Sequence, residues 1–176
     1  MEEVKPYEEC PVWIAALSVG MTLLTYALGA YILAGLAVWL IAPYLLYGLW
    51  TEWRVVRSSC VNCYYYGKRC GLGRGRLCAR LFPQGDPAAF GDHDFSWVQM
   101  VAYSLTALAP MAAGVAVAIR DKTWAPIILV VIMAVVYFVG NGIVRGRFGC
   151  KYCMQGRLGC PVAANMMGPK RGATDA

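Results

Sequence analysis

Two stretches of this sequence carry thiols at one spacing: CVNCYYYGKRC over residues 60–70 and CKYCMQGRLGC over 150–160 both read C-x2-C-x6-C, ninety positions apart. Two further cysteines complete a set of eight, Cys10 ahead of the first copy and Cys78 behind it. Thiolates in C-x2-C pairs are soft ligands for Zn2+ or for an Fe–S cluster, and four of them satisfy either kind of centre. Cys60, Cys63, Cys70, Cys78, Cys150, Cys153, Cys160 and Cys10 are therefore the candidate ligands of two metal centres. Two divisions are open. In the local one, Cys78 joins the first motif and Cys10 the second; in the other, each motif takes the cysteine of its own half of the chain. The local division is preferred for the first site, because the loop from Cys60 to Cys78 can close on a metal without help from elsewhere.

Such loops need something to hold them, and the rest of the sequence says what. Hydrophobic residues make up 59% of the 176, charged residues only 15%, and mean hydropathy is positive, well short of the quarter or so of charged residues usual in soluble chains. Pro11 to Thr51 carries no charge. At about twenty residues per crossing it is long enough for two helices and a very tight turn, expected near Leu28 to Tyr31, where Gly29 interrupts the run. A single long tilted span is the other reading of that run, giving three crossings in all. Phe95 to Ile119 and Thr123 to Val144 supply two more helices, with Arg120, Asp121 and Lys122 between them. The expected fold is an all-α integral membrane protein: four transmembrane helices as two hairpins in a pseudo-two-fold repeat, each hairpin followed by a cytoplasmic Cys-rich metal-binding loop.

The order cysteine, hairpin, C-x2-C-x6-C occurs twice. Residues 1–70 form the first repeat, with its hairpin over 11–51 and its motif over 60–70; 71–94 is a connecting loop that includes Cys78. The second repeat covers 95–160, with a hairpin over 95–144 and a motif over 150–160, and 161–176 is a tail. An even number of crossings per repeat puts both motifs on one face, about an axis along the membrane normal. All basic residues except Arg120 and Lys122 fall on that face, which the positive-inside rule makes cytoplasmic, termini included. The acidic start MEEVKPYEEC and the long apolar run after it do not read as a cleavable signal. Trp13, Trp50, Trp53 and Trp97 are placed at the cytoplasmic interface, Tyr31 and Trp124 at the opposite one. Cytosolic thiols stay reduced, which favours metal ligation over disulfides; an inverted topology would reverse that preference.

Cys160 followed by Pro161 is similar to the end of the bacterial ferredoxin motif, and C-x2-C-x6-C resembles the half-site of binuclear Zn2Cys6 modules. Only the spacing carries over, since two membrane crossings separate the halves here. Arg69, Arg74, Arg76, Arg145 and Arg147 are candidate contacts for anionic lipid or another anion, and cations near thiolates also lower thiol pKa values. In CGLGRGRLC the alternating Gly71, Gly73 and Gly75 let the backbone wrap tightly, as a metal loop requires. A lone His93 beside Asp92 and Asp94 excludes bis-histidine haem, so no haem is expected; its segment reads as an exposed loop leading into the third helix, with Asp94 or Ser96 as N-cap.

Within the spans there is no Asp, Glu, Lys, Arg or His, which disfavours ion pumping. Small pairs four apart, Ala30 and Ala34, Ala109 and Ala113, Gly114 and Ala118, suit close helix contact. No catalytic triad, carboxylate pair or nucleotide fingerprint is present, so the chain reads as an electron-transfer or binding protein more than as a stand-alone catalyst. The leading expectation is two Fe–S centres passing electrons to a membrane acceptor, such as a quinone, or to a protein complex. A zinc-stapled scaffold that binds a partner protein or anionic lipid is the alternative, and thiol-disulfide or metal-trafficking chemistry a third. Membrane lipids are partners in every case, and nothing points to nucleic acid.

Overall fold

A computed structural model describes residues 5–90, 97–158 and 160; His93, Asp92 and Asp94 lie outside these residues, as does the tail over 161–176. Every named element among the described residues is helical, and six are α-helices: α1 (Val12–Leu36), α2 (Ile41–Val55), α3 (Gly75–Leu81), α4 (Trp97–Asp121), α5 (Ala125–Ala134) and α6 (Met154–Leu158). Three helical rods are long and apolar enough to cross a membrane: Val12–Leu36, Val101–Asp121 and Ala125–Tyr152. The last is α5 continued by two π-wound stretches, Val135–Gly140 and Gly142–Gly149. Described residues within Val19–Val55 and Phe95–Gly142 cluster into a helical unit; those within Met1–Ser18, Val56–Asp94 and Ile143–Ala176 form a second unit that holds all eight cysteines.

The first apolar run breaks into two helices, as its length requires, but at Ala37 rather than at Leu28–Tyr31. Ala37 is extended (φ −164°, ψ 126°) and starts a short 3-10 turn, Val38–Leu40. Gly29 sits inside α1 for a different reason. A Cβ there would collide with the Tyr44 hydroxyl and come within 3.0 Å of Pro110 Cγ, so this glycine is a point of close helix approach and not a turn. Trp39, beside the real turn, is 73% exposed.

Side-chain contacts fix the helix directions. Gly29 faces Tyr44 and Gly48 faces Tyr26, so α1 and α2 run antiparallel. Gly114 faces Val130, with the Pro126 carbonyl nearby, making α4 and α5 a second antiparallel pair. Their turn passes through Lys122 in the left-handed region (φ 49°), and the Thr123 N–H reaches back to the Ala118 carbonyl at 3.3 Å, a helix-ending geometry more often given to glycine. The Tyr44 hydroxyl donates to the Thr106 carbonyl at 3.0 Å and that of Tyr47 to the Ala102 carbonyl at 2.7 Å, setting α2 antiparallel to α4. Ile32 lies against Gly114 and Gly35 against Val117, so α1 runs parallel to α4. Arg120 ties their ends together by donating to the Gly35 carbonyl at 3.0 Å.

Ile32, Ala107 and Met133 form the centre of this unit. Beside it Thr22, Thr25, Tyr26, Tyr103, Tyr137 and Asn141 line a small polar recess. The helices thus bury hydroxyls, and the threonines bond to their own helix backbone, Thr25 to the Met21 carbonyl at 2.9 Å and Thr106 to that of Tyr103 at 2.6 Å.

Candidate metal centre

Each cysteine motif follows a π-wound stretch: Val56–Cys60 carries the chain beyond α2 into the first motif, and Gly142–Gly149 leads into the second. π-winding is rare and recurs at functional sites.

The two loops that follow share one hydrogen-bond scheme. In the first, Cys63 N–H donates to the Cys60 carbonyl at 3.3 Å and Tyr66 N–H to that of Cys63 at 2.9 Å; in the second, Cys153 donates to Cys150 at 3.2 Å and Gly156 to Cys153 at 3.1 Å. The N–H two residues past the inner cysteine turns onto that cysteine's sulfur in both, from Tyr65 to Cys63 and from Gln155 to Cys153. The loops also exchange bonds across their junction. Tyr64 N–H donates to Gln155 Oε1 at 2.7 Å, while Met154 N–H donates to the Tyr65 hydroxyl oxygen at 3.0 Å. In each direction a side chain two places past the inner cysteine of one motif accepts from the amide one place past the inner cysteine of the other.

The N-terminal segment lies against both loops. Tyr7 donates its N–H to the Tyr152 carbonyl at 2.9 Å and stacks on that ring at 5.0 Å, while its own carbonyl accepts from the Tyr65 hydroxyl at 2.6 Å. Three residues on, Cys10 is 2% exposed; its N–H donates to the Arg69 carbonyl at 3.0 Å and its sulfur receives the Gly71 N–H.

Closing the first loop depends on two of the three alternating glycines. Gly73 is left-handed (φ 74°) and donates to the Cys70 carbonyl at 3.0 Å, after which Arg74 and Gly75 aim their N–H groups at Cys70 Sγ at 3.2 and 3.3 Å. Gly75 then opens α3, which carries the fully buried Cys78. A Cβ on Gly75 would collide with the carbonyls of Tyr65 and Lys68, which are backbone atoms and cannot step aside. Gly75→Ala should therefore displace α3 and Cys78 from the first motif and destabilise this unit by about 1–3 kcal/mol. Limited proteolysis of the variant in detergent should cut between residues 60 and 82 while the helical unit persists; wild-type resistance there would refute the steric argument.

All eight cysteines are free thiols, and their mutual electrostatics map the neighbourhoods. Burial, reinforced mainly by Cys70, holds Cys60 up at about 12; Cys63 is pushed to about 12 by burial, with Cys153, Cys70 and Cys160 adding, and Cys10 to about 11 by burial together with Cys153 and Cys70. Burial also raises Cys78, helped by Cys70, and Cys153, helped by Cys160 and Cys70. Cys150 lies in electrostatic reach of Cys153 and Cys160. Cys78 senses thiols of the first motif and none of the second, Cys10 senses thiols of both, and Cys63 bridges to Cys153 and Cys160. Among the described residues no three His, Cys, Asp or Glu side chains stand close enough together to hold a single metal ion.

The candidate anion-binding arginines are dispersed. Arg69 pairs with Glu9 at 2.9 Å and Arg76 approaches the same carboxylate at 4.0 Å, surface contacts of small energetic weight. Arg74 exerts its charge on Cys60, Arg145 lies within reach of Cys150 with its Nε buried and unpartnered, and Arg147 is exposed. Gln155 is the residue that motif reasoning passes over. It is 2% exposed, it donates its N–H to Cys153 Sγ, and its main-chain carbonyl accepts from Cys160 at 3.2 Å. The signal that finds it is positional, because Gln155 follows Cys153 at the offset by which Tyr65 follows Cys63. Comparison of the chain with protein-family models, with curated proteins and with solved structures found no match.

Proposed function

We propose that this protein is a multi-pass membrane electron carrier whose eight cysteines hold two adjacent four-thiolate Fe–S centres, the local division assigning Cys60, Cys63, Cys70 and Cys78 to one and Cys10, Cys150, Cys153 and Cys160 to the other. The observation that carries the proposal is the backbone around the sulfurs. Gly71, Tyr65, Arg74, Gly75, Gln155 and Gly156 turn N–H groups onto Cys10, Cys63, Cys70 and Cys153. A neutral thiol is a weak acceptor, whereas a metal-bound thiolate is a strong one whose stability and potential such bonds set. Those donors suit a loaded site better than an empty one.

Hydrogen bonds between the motifs, from Tyr64 to Gln155 and from Met154 to Tyr65, support a reading in which two such centres lie side by side, the arrangement a one-electron relay needs.

In the same proposal α2 is the fourth crossing. It runs antiparallel to α1 and α4, and the 3-10 turn Val38–Leu40 and π-wound Val56–Cys60 lengthen it at both ends. Parallel α1 and α4 and the reciprocal loop bonds support a pseudo-two-fold repeat. The positive-inside rule then sets the cysteine unit on the cytoplasmic side, facing a soluble or peripheral redox partner, with a quinone or a membrane complex as acceptor. The zinc-scaffold reading draws support from α3 and α6, which at seven and five residues need a staple to stay folded.

Anaerobic purification in detergent, followed by iron, zinc and acid-labile sulfide analysis, separates these readings. The carrier reading expects iron and sulfide in similar amounts and an absorption band that bleaches with dithionite. Two zincs per chain without sulfide would replace it by the scaffold, and no metal at all would replace both.

A further inference from the structure

The polar recess of the helical unit is lined from three rods: by Thr25 and Tyr26 of α1, by Tyr103 and Thr106 of α4, and by Asn141 beyond α5. It has room for about one water-sized molecule, the least that a hydrated cavity requires. Thr25 stands near the middle of α1, so the recess lies deep among rods long and apolar enough to cross a membrane.

Asn141 gives the reason to look for an occupant. Its carboxamide is oriented by chemistry: the atom 3.5 Å from the Val136 carbonyl faces an acceptor and is therefore Nδ2, which leaves Oδ1 at the other end. That Oδ1 is buried and has no hydrogen-bond partner among the described residues. The hydroxyls nearest in the lining have already used their protons. Thr25 donates to the Met21 carbonyl at 2.9 Å and Thr106 to that of Tyr103 at 2.6 Å, while Tyr26 donates towards the Gly48 carbonyl and the Glu52 carboxylate at 3.5 and 3.4 Å. What these groups have left to offer is lone pairs. A buried acceptor without a donor costs about 1–3 kcal/mol, so the lining calls for a small molecule that brings protons of its own.

The backbone singles out the same place. The third rod is π-wound over Val135–Gly140, immediately ahead of Asn141, and π-winding recurs at functional sites. Gly140 lets this stretch close on α1, since a Cβ there would come within 2.8 Å of Met21 Cε. One turn of α1 thus carries both the contact with Gly140 and the Thr25 hydroxyl.

We infer that the recess is a binding site for one water molecule, which donates to Asn141 Oδ1 and to a lone pair of Thr25 or Thr106 and so bridges the π-wound rod to α1 or α4. A lipid chain there would leave Asn141 unsatisfied. A metal ion would suit the lone pairs, but it brings a charge to a recess that no charged side chain lines, which is costly at membrane depth. Water is neutral, small enough and able to donate twice. The site is independent of the Fe–S reading and of whatever the cysteines hold.

The measurement is water-edited solid-state nuclear magnetic resonance on the intact protein in lipid bilayers, which reads how fast water protons pass magnetisation to each assigned residue. Thr25, Thr106 and Asn141 should receive it several-fold faster than Ala107, which is fully buried in the same unit and does not line the recess. In Asn141→Leu, which removes the acceptor and fills the space, transfer to Thr25 and Thr106 should drop to the Ala107 level. Wild-type transfer no faster than that to Ala107 would show a dry recess and overturn the site, whether or not the variant folds. Fast transfer that persists in Asn141→Leu would overturn the role of Asn141. Melting of wild type in sodium, potassium, ammonium and choline chloride at one ionic strength should coincide; a rise in one salt alone, abolished by Asn141→Leu, would put that cation in the recess in place of water.

Discussion

Under the proposed carrier reading, Cys153→Ser should remove one of two metal centres and leave the other, halving the iron and sulfide bound per chain. A serine hydroxyl does not ionise near neutral pH and is a hard donor where a soft thiolate is required, so the remaining three ligands lose the chelate that made the site. For a four-thiolate zinc site the binding free energy is about 10–16 kcal/mol, so the loss should be near complete. Cys63→Ser should do the same to the other centre. Cys78→Ser and Cys10→Ser then decide how the ligands divide. The fully buried Cys78 senses only thiols of the first motif, so its loss should abolish the signal that Cys63→Ser abolishes. Cys10 is raised by both Cys153 and Cys70 after burial and, if the local division holds, its loss should match that of Cys153. In all four variants far-UV circular dichroism should retain most of its helical amplitude, because α1, α2, α4 and α5 depend on apolar and small-residue contacts within the helical unit. Unchanged metal content in both Cys63→Ser and Cys153→Ser would dismiss the cysteines as ligands.

How far this arrangement could be read from the residues depends on which residues carried a one-dimensional signal. Charge-free runs gave the helices their places, since in an apolar solvent only a helix satisfies its own backbone, and a repeated spacing marked the thiols. The turn of the first hairpin had no such signal. Gly29, Gly48 and Gly114 are packing glycines opposite Tyr44, Tyr26 and Val130, and within an apolar run nothing local distinguishes a glycine that ends a helix from one that admits a neighbour. Gly35, two residues before the break at Ala37, was the better C-terminal cue. The loop exchange of Tyr65 and Gln155 was equally hidden, because its geometry joins residues ninety positions apart; only their shared offset from the inner cysteines hinted at equivalence. The polar recess around Thr25 and Tyr103 was missed since a threonine or tyrosine in a span reads as tolerated when its hydroxyl can bond its own helix.

Metal loading should be among the most pH-sensitive properties of the molecule. In the metal-free chain Cys60 and Cys63 titrate near 12 and Cys10 near 11, each raised first by burial and then by neighbouring thiols, so at pH 7 they are neutral. Binding requires thiolates, so each buried thiol that starts protonated releases its proton when the site closes on a metal. Apparent affinity should then rise with pH between 6 and 8, by about tenfold per unit for each proton released, and so by at least about a hundredfold per unit where Cys60 and Cys63 both ligate. Zinc serves as the probe even if iron is the native metal: titrating reduced, metal-free protein against a chelator at pH 6.5 and 7.5 measures the slope, and a weakly buffered titration counts the protons. The metal-free protein should respond in the opposite sense. Thiols whose pKa is higher folded than unfolded stabilise the fold fully below about 9, the ordinary thiol value, and that contribution is lost as pH climbs towards 11 or 12. Loaded protein should therefore fail in acid and empty protein in alkali. Release of fewer than two protons per zinc at pH 7 would mean that thiolates already exist in the empty site, and the buried, neutral thiols described here would have to be abandoned.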